Sequence, residues 1–126
     1  MCRAVMPEVE DLGRAAYAPV LERMRELHAA VHRGTNPGTV LLVEHEPVYT
    51  AGRATPPGEL RPGIVPIERG GKITWHGPGQ LVVYPIVRLP KNDLRHWLRR
   101  LEQFGIAFAR HFGVEATASV DGTGVF

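Results

Sequence analysis

The chain has 126 residues, room for one domain and short for two. Apolar residues make up 44% and charged residues 22%, so a packed core is within reach and wholesale disorder is excluded. A net charge of +2 excludes a strongly basic nucleic-acid or membrane-surface binder, and a single cysteine excludes a disulfide framework or a cysteine-rich zinc site.

The N-terminus opens Met-Cys-Arg-Ala-Val-Met-Pro-Glu, with no long apolar stretch of the signal-peptide kind. No apolar run approaches the roughly 18 to 20 residues of a membrane span. The cytoplasm is therefore the expected compartment.

The first predicted element is a helix. Leu12, Ala16, Val20, Met24, Leu27 and Val31 recur at spacings of four or three and share one stripe. Asp11 is the expected N-cap. Pro19 inside the run predicts a kink, or two helices in tandem. Gly34 and Asn36-Pro37-Gly38 end it. Thr39 to His45 is a β-branched and apolar run, nearly continuous, which predicts a strand covered on both faces. Pro47 interrupts it and Val48-Tyr49-Thr50 resumes. Residues 51–66 read as a long loop rich in proline and glycine, of the functional or mobile kind. Extended segments at 64–68, 72–76 and 80–86 predict a β-meander.

Asn92 or Asp93 caps a second helix. Leu94, Trp97, Leu98, Leu101, Phe104 and Phe108 form its expected buried stripe, with Phe112 one turn on. Gly105 is a soft spot and Gly113 the stop. Residues 114–119 read as a strand and Asp121-Gly122-Thr123-Gly124 as a turn. Val125 and Phe126 open a further strand, which is expected to lie unpaired with an open apolar edge. Helix, strands, helix, strands point to an α+β fold, with helices packed on a mixed or antiparallel sheet, and to one domain over 1–126.

The densest chemistry lies in Arg69-Gly70-Gly71-Lys72-Ile73-Thr74-Trp75-His76-Gly77-Pro78-Gly79-Gln80. Glycines let a backbone approach a ligand closely, and exposed N–H groups in such a turn cradle an anion or a carbonyl oxygen. Arg69 is a partner for an anionic group. Thr74 and His76 are two apart and face the same side of a strand. His76 takes or gives a proton near neutral pH. On the residues alone, a plain glycine-rich hairpin with a histidine on its rim stands equally open. The Gly-Gly-Lys-Ile-Thr run is not a phosphate-binding P-loop, since it lacks the spaced first glycine and leads into no helix.

This segment, with Leu81-Val82-Val83-Tyr84-Pro85 after it, closely resembles the signature of lipoyl(octanoyl) transferases, the octanoyl-carrier-protein:protein octanoyltransferases. A second stretch agrees, Leu41-Leu42-Val43-Glu44-His45-Glu46-Pro47-Val48-Tyr49-Thr50-Ala51-Gly52-Arg53, as does Thr123-Gly124-Val125 after the second helix. Lipoate–protein ligases carry a different glycine-rich run, with His-Asp in place of His-Gly-Pro-Gly-Gln, and biotin ligases a Gly-Arg-Gly-Arg type loop. The resemblance implies the biotin/lipoyl protein ligase catalytic-domain fold, akin to class II aminoacyl-tRNA synthetases. It implies transfer of an octanoyl group from acyl carrier protein to a lysine of lipoyl domains, through an acyl-cysteine thioester, with no ATP and no other cofactor. The implied acceptors are the lipoyl domains of 2-oxoacid dehydrogenases and the glycine cleavage H protein. An ATP-dependent ligase relative and a non-enzymatic acyl-binding module are the competing readings.

The family's catalytic lysine and cysteine lie downstream of the Thr-Gly-Val strand. Here the cysteine is Cys2 and the lysines are Lys72 and Lys91, none at a matching position. The expectation is an N-terminal part of such an enzyme, inactive by itself, with its nucleophile beyond Phe126. Arg69, Gly70, Gly71, Lys72, Ile73, Thr74, Trp75 and His76 are assigned to substrate binding. Gly77, Tyr84, His45 and Arg53 are the further pocket candidates. Cys2 reads as a free, disordered terminal thiol. His28 and His32 are spaced i, i+4 but lack a third ligand, so no metal site is assigned. Arg95, Arg99, Arg100 and Arg110 read as an ordinary charged helix face, with docking of an acidic carrier protein as the other reading.

Overall fold

The computed structural model describes residues 5–126, so Cys2 lies outside the described residues. The chain forms two compact units, the first ending at Arg88 and the second running over Leu89–Phe126.

The first unit holds strands β1 (Glu8–Ala15), β2 (Thr39–His45), β3 (Val48–Ala51), β4 (Ile64–Pro66), β5 (Ile73–His76) and β6 (Leu81–Ile86), with helix α1 (Tyr17–Arg33) between β1 and β2. A single 3-10 turn, Pro57–Glu59, breaks the long loop. The strands form two three-stranded sheets, ordered β1-β2-β6 and β4-β3-β5. In the first, β2 is central, parallel to β1 and antiparallel to β6. In the second, β3 is central, parallel to β4 and antiparallel to β5. The sheets are mixed, as the α+β reading expects.

β2 is the spine of the core. Thr39, Leu41, Val43 and His45 are buried at every second position, and the residues between them are half-buried. The period of two puts these four on one face. The continuous apolar run predicted cover on both faces, and the second face is covered only in part. On α1 the buried positions are Tyr17, Val20, Leu27 and Val31, an i, i+3, i+10, i+14 series that faces the core.

Three readings of the first unit are corrected here. The stretch from Leu12 to Ala15 is strand, not helix, and α1 begins at Tyr17. Leu12, Ala16 and Val20 keep a helical spacing, but Leu12 lies in β1, next to a β-bulge. Gly13 takes φ +59°, the register slips between Asp11 and Arg14, and Asp11 accepts from the Gly13 N–H at 2.9 Å. Asp11 therefore supports a bulge and caps no helix. Pro19 falls in the first turn of α1, where its missing N–H would have no helical partner, so the helix runs through unbroken. At the other end Gly34 takes φ +78° as the cap, and Arg88 donates to the Val31 and His32 carbonyls at 3.1 and 2.7 Å.

The third correction concerns the meander. β4 and β5 do not pair with each other; both flank β3, and β6 leaves to join β2. The glycine-rich turns separate the strands, but do not make them neighbours in one sheet. β6 supplies Val82 and Tyr84 opposite Val43 and Leu41 of the core strand.

In the second unit α2 spans Leu94–His111, and Asp93 accepts from the His96 N–H at 3.0 Å as its N-cap. Gly113, at φ +75°, donates to the Arg110 carbonyl and stops it. The expected buried stripe is not buried: no α2 residue is. Within this unit the only chain available to cover it is the short segment after Gly113. Phe104, Phe108 and Phe112 stack on one another instead, with ring centroids 6.0 and 5.1 Å apart. Gly105 is a packing position, since a Cβ there would stand 3.2 Å from Val125. The expected strand over 114–119 reduces to one bridge, Ala118 with Val125, and Thr117 and Phe126 exchange hydrogen bonds of 2.8 and 2.9 Å. Val125 is thus paired within the unit, contrary to the expectation of an unpaired strand. No helix among the described residues is long and apolar enough to cross a membrane.

Candidate functional site

The first unit contains a cavity of about 650 Å³, inside the range of roughly 300–1,000 Å³ typical of small-molecule sites. One wall is α1, through Tyr17, Leu21, Met24, Arg25 and His28. The facing wall is Ile67–Arg69, with Thr74 and His76 of β5 and Tyr84 of β6. Leu21, Met24 and Ile67 make its lining apolar between a few polar groups. Arg25 and Glu68 form an ion pair across the rim at 3.0 Å, and Arg25 also holds Glu22 at 2.9 Å. The Glu68 carboxyl is held below its usual range by its own backbone N–H and then by Arg25.

Thr74 and His76 share a face of β5, as their spacing requires, and both reach the cavity. Trp75 and Ile73 lie on the other face. The Trp75 indole lies across Gly77, where any Cβ would overlap the ring. Gly77→Ala must therefore push Trp75 aside. Trp75 is half-exposed and has room to rotate, so the expected cost is small for an overpacking change, about 1 kcal/mol in a urea melt. A shift in tryptophan emission should accompany it, and an unchanged emission spectrum would contradict this packing.

Behind the cavity His45 is fully buried. Its Nε2 lies 2.9 Å from the Tyr84 hydroxyl, and its ring centroid is 5.0 Å from Tyr17 and 5.7 Å from His76. Burial, and then the neighbouring His76, push its pKa down, so His45 is neutral at pH 7. Its Nδ1 is buried and makes no hydrogen bond. The nearby Ala15 carbonyl, already taken by the Glu46 N–H, acts only as a weaker raising influence. Burial also pushes the Tyr17 and Tyr84 hydroxyls up. Both stay neutral and act as hydrogen-bonding groups, not as anions.

Arg69 is spent on the loop. It donates to the Gly70 carbonyl at 2.7 Å, the Lys72 carbonyl at 2.8 Å and the buried Thr50 hydroxyl at 3.3 Å. Its guanidinium thus clamps the 69–72 turn onto β3 while its side chain lines the cavity. The turn is stitched to residues 52–54 as well: Gly52 donates to Lys72, Arg53 to Arg69 and Ala54 to Gly71, at 3.0, 2.9 and 3.0 Å. Gly70, Gly71, Lys72, Ile73, Trp75, Gly77 and Arg53 do not line the cavity. They form the frame that holds Arg69, Thr74 and His76 on it, and His45 stands behind Tyr84.

The sequence reading missed the whole α1 wall and the partner of His76. Tyr17, Leu21, Met24 and His28 are spaced by four, three and four, so a common helical face was legible. That this face borders a cavity was not. The partner is Gln80, whose side-chain oxygen lies 2.6 Å from His76 Nδ1.

Comparison with known proteins fits this frame. Residues 16–125 match the family model described as the lipoyl protein ligase A/B catalytic domain. The chain is 52% identical over 110 residues to an octanoyltransferase of Clavibacter sepedonicus, covering 84% of this chain and 47% of that one. It is 44% identical over 123 residues to an octanoyltransferase of Geobacter metallireducens, covering 94% and 58%. The chain spans about half the length of the curated relatives it matches. Among solved structures it is similar to lipoate-protein ligase A bound with ATP, at a TM-score of 0.68 and 15% identity, covering 94% of this chain and 52% of that one. That likeness shows the α+β fold. With the family match running from the start of α1 to Val125, this chain belongs to the lipoyl protein ligase A/B catalytic domain family.

Proposed function

We propose that this chain forms the acyl-binding part of an octanoyltransferase. The enzyme moves an octanoyl or lipoyl group from acyl carrier protein to a lysine of lipoyl domains, those of 2-oxoacid dehydrogenases and the glycine cleavage H protein, in the cytoplasm. The observation that carries this reading is the meeting of Thr74 and His76, from the signature, with the apolar face of α1 across one cavity. An octanoyl chain fits such a wall: at about 0.8 kcal/mol per methylene, burying about six gives roughly 5 kcal/mol before ordering costs. Thr74, His76 and Tyr84 are the groups available at the acyl carbonyl or the incoming amine. A thioester is already activated, so no adenylate is needed. The acyl-cysteine step is assigned to none of Cys2, Lys72 and Lys91, because they match no catalytic position of the family.

The test is titration of the protein with octanoyl-pantetheine, a soluble thioester donor, followed by calorimetry. Saturable binding is expected, weakened at least tenfold, roughly 1.4 kcal/mol, in Thr74→Trp, which fills the cavity. Absence of saturable binding would sink the reading. Formation of octanoyl-adenylate from octanoate and ATP would replace it with an ATP-dependent ligase.

A further inference from the structure

The cavity holds one histidine whose protonation geometry is set by a neighbour. His76 Nδ1 lies 2.6 Å from Gln80 Oε1, and Gln80 Nε2 faces the Trp75 carbonyl at 3.5 Å. The second contact orients the amide. Turned the other way, its oxygen would face the Trp75 carbonyl oxygen, acceptor against acceptor. With oxygen toward the ring, the short contact requires a hydrogen on Nδ1. The Gly77-Pro78-Gly79 turn makes this possible, since Gly79 at φ +86° and the 3.1 Å bond from the Gln80 N–H to the Gly77 carbonyl bring Gln80 back beside His76.

From this we infer that Gln80 is a positioning residue, which locks His76 in the tautomer protonated on Nδ1 so that Nε2 offers its lone pair to the cavity. A histidine in water prefers the opposite tautomer, with hydrogen on Nε2, which would present a donor there. Among the described residues no side chain hydrogen-bonds Nε2. The cavity's carboxylate, Glu68, is engaged by Arg25, and the Tyr84 hydroxyl by His45. The lone pair is therefore left for a ligand bearing an N–H or O–H donor. Resting on the octanoyl-transfer reading, that donor is the amine of the acceptor lysine, and the acyl carbonyl oxygen, an acceptor, is turned away from His76.

The experiment is long-range ¹H–¹⁵N spectroscopy of the His76 ring in the whole chain, above the histidine titration range. The expected result is a pyrrole-type Nδ1 and a pyridine-type Nε2. Gln80→Leu should lose that signature in favour of a protonated Nε2, and Gln80→Glu, which keeps an acceptor, should retain it. A protonated Nε2 in the unmodified protein overturns the inference, and that measurement decides even if Gln80→Leu does not fold. An unchanged ring in a folded Gln80→Leu overturns it too. The readout needs no acyl ligand: the predicted tautomer without octanoyl-thioester binding would remove the proposed function and leave the role of Gln80 standing.

Discussion

Gly52→Ala is expected to destabilise the first unit by about 3 kcal/mol, at the upper end for overpacking by a methyl group. A Cβ at Gly52 would stand under 3.0 Å from the carbonyl oxygens of Arg69, Gly70 and Gly71. These are backbone atoms and cannot rotate away as the Trp75 ring can. Three hydrogen bonds tie residues 52–54 to this same turn, so pushing it off β3 breaks them together. Arg69, which moves with the turn, would lose the Thr50 hydroxyl that clamps it onto β3. The effect on the cavity follows from the same displacement, since Arg69 opens the turn and Thr74 follows it in β5. Urea melts of the variant and the parent measure the first effect, and octanoyl-pantetheine titration the second. A variant as stable as the parent would mean that the 69–72 turn is not seated against Gly52.

Mild acid is expected to destabilise the protein through His45. Its folded-state pKa is depressed, so below the ordinary value of about 6.5 the unfolded chain binds a proton that the folded chain refuses. Stability is therefore flat above that value and falls as the pH drops through it, by up to about 1.4 kcal/mol per pH unit, until the folded-state pKa is reached. The direction is the reverse of a histidine held by a carboxylate. Glu68, held below the usual carboxylate range, loses its contribution only at lower pH, so the two limbs separate. His45→Gln, which can still meet the Tyr84 hydroxyl but cannot titrate, should lack the limb near neutrality. Thermal denaturation of both proteins across this range is the check. Equal acid limbs would place the titration elsewhere.

Much of this molecule is legible from spacing and residue type. The β2 run is legible because five apolar or β-branched positions in succession have few other uses. α2 and a cap at Asn92 or Asp93 are legible because a capping side chain and a stop glycine act within one turn, and the structure selects Asp93. The shared face of Thr74 and His76 follows from the period of two, which no tertiary context alters. The family resemblance likewise rests on the 69–80 and 41–53 segments, whose residues are all in the chain.

Other features depended on which surfaces meet. A stripe from Leu12 to Val31 satisfies a helical period whether or not its first turn is strand, and only pairing of β1 with β2 chose strand. Pro19 is a breaker or a harmless first-turn residue according to where the helix starts. The three extended segments after residue 63 carry no mark of their partners; β4 and β5 pair with β3, and β6 pairs with the edge of β2 left free by β1. The signature residues looked equivalent in the chain. In the fold they divide into a glycine frame, an arginine clamp and two side chains on the cavity.

The sequence by itself determined the local elements and the chemical vocabulary of the site, because helix caps, turns and strand alternation are set by near neighbours. The tertiary structure decided the cavity, the neutral state of His45 and the clamp of Arg69 on Thr50. Volume, desolvation and hydrogen-bond geometry exist only where distant segments are brought into contact.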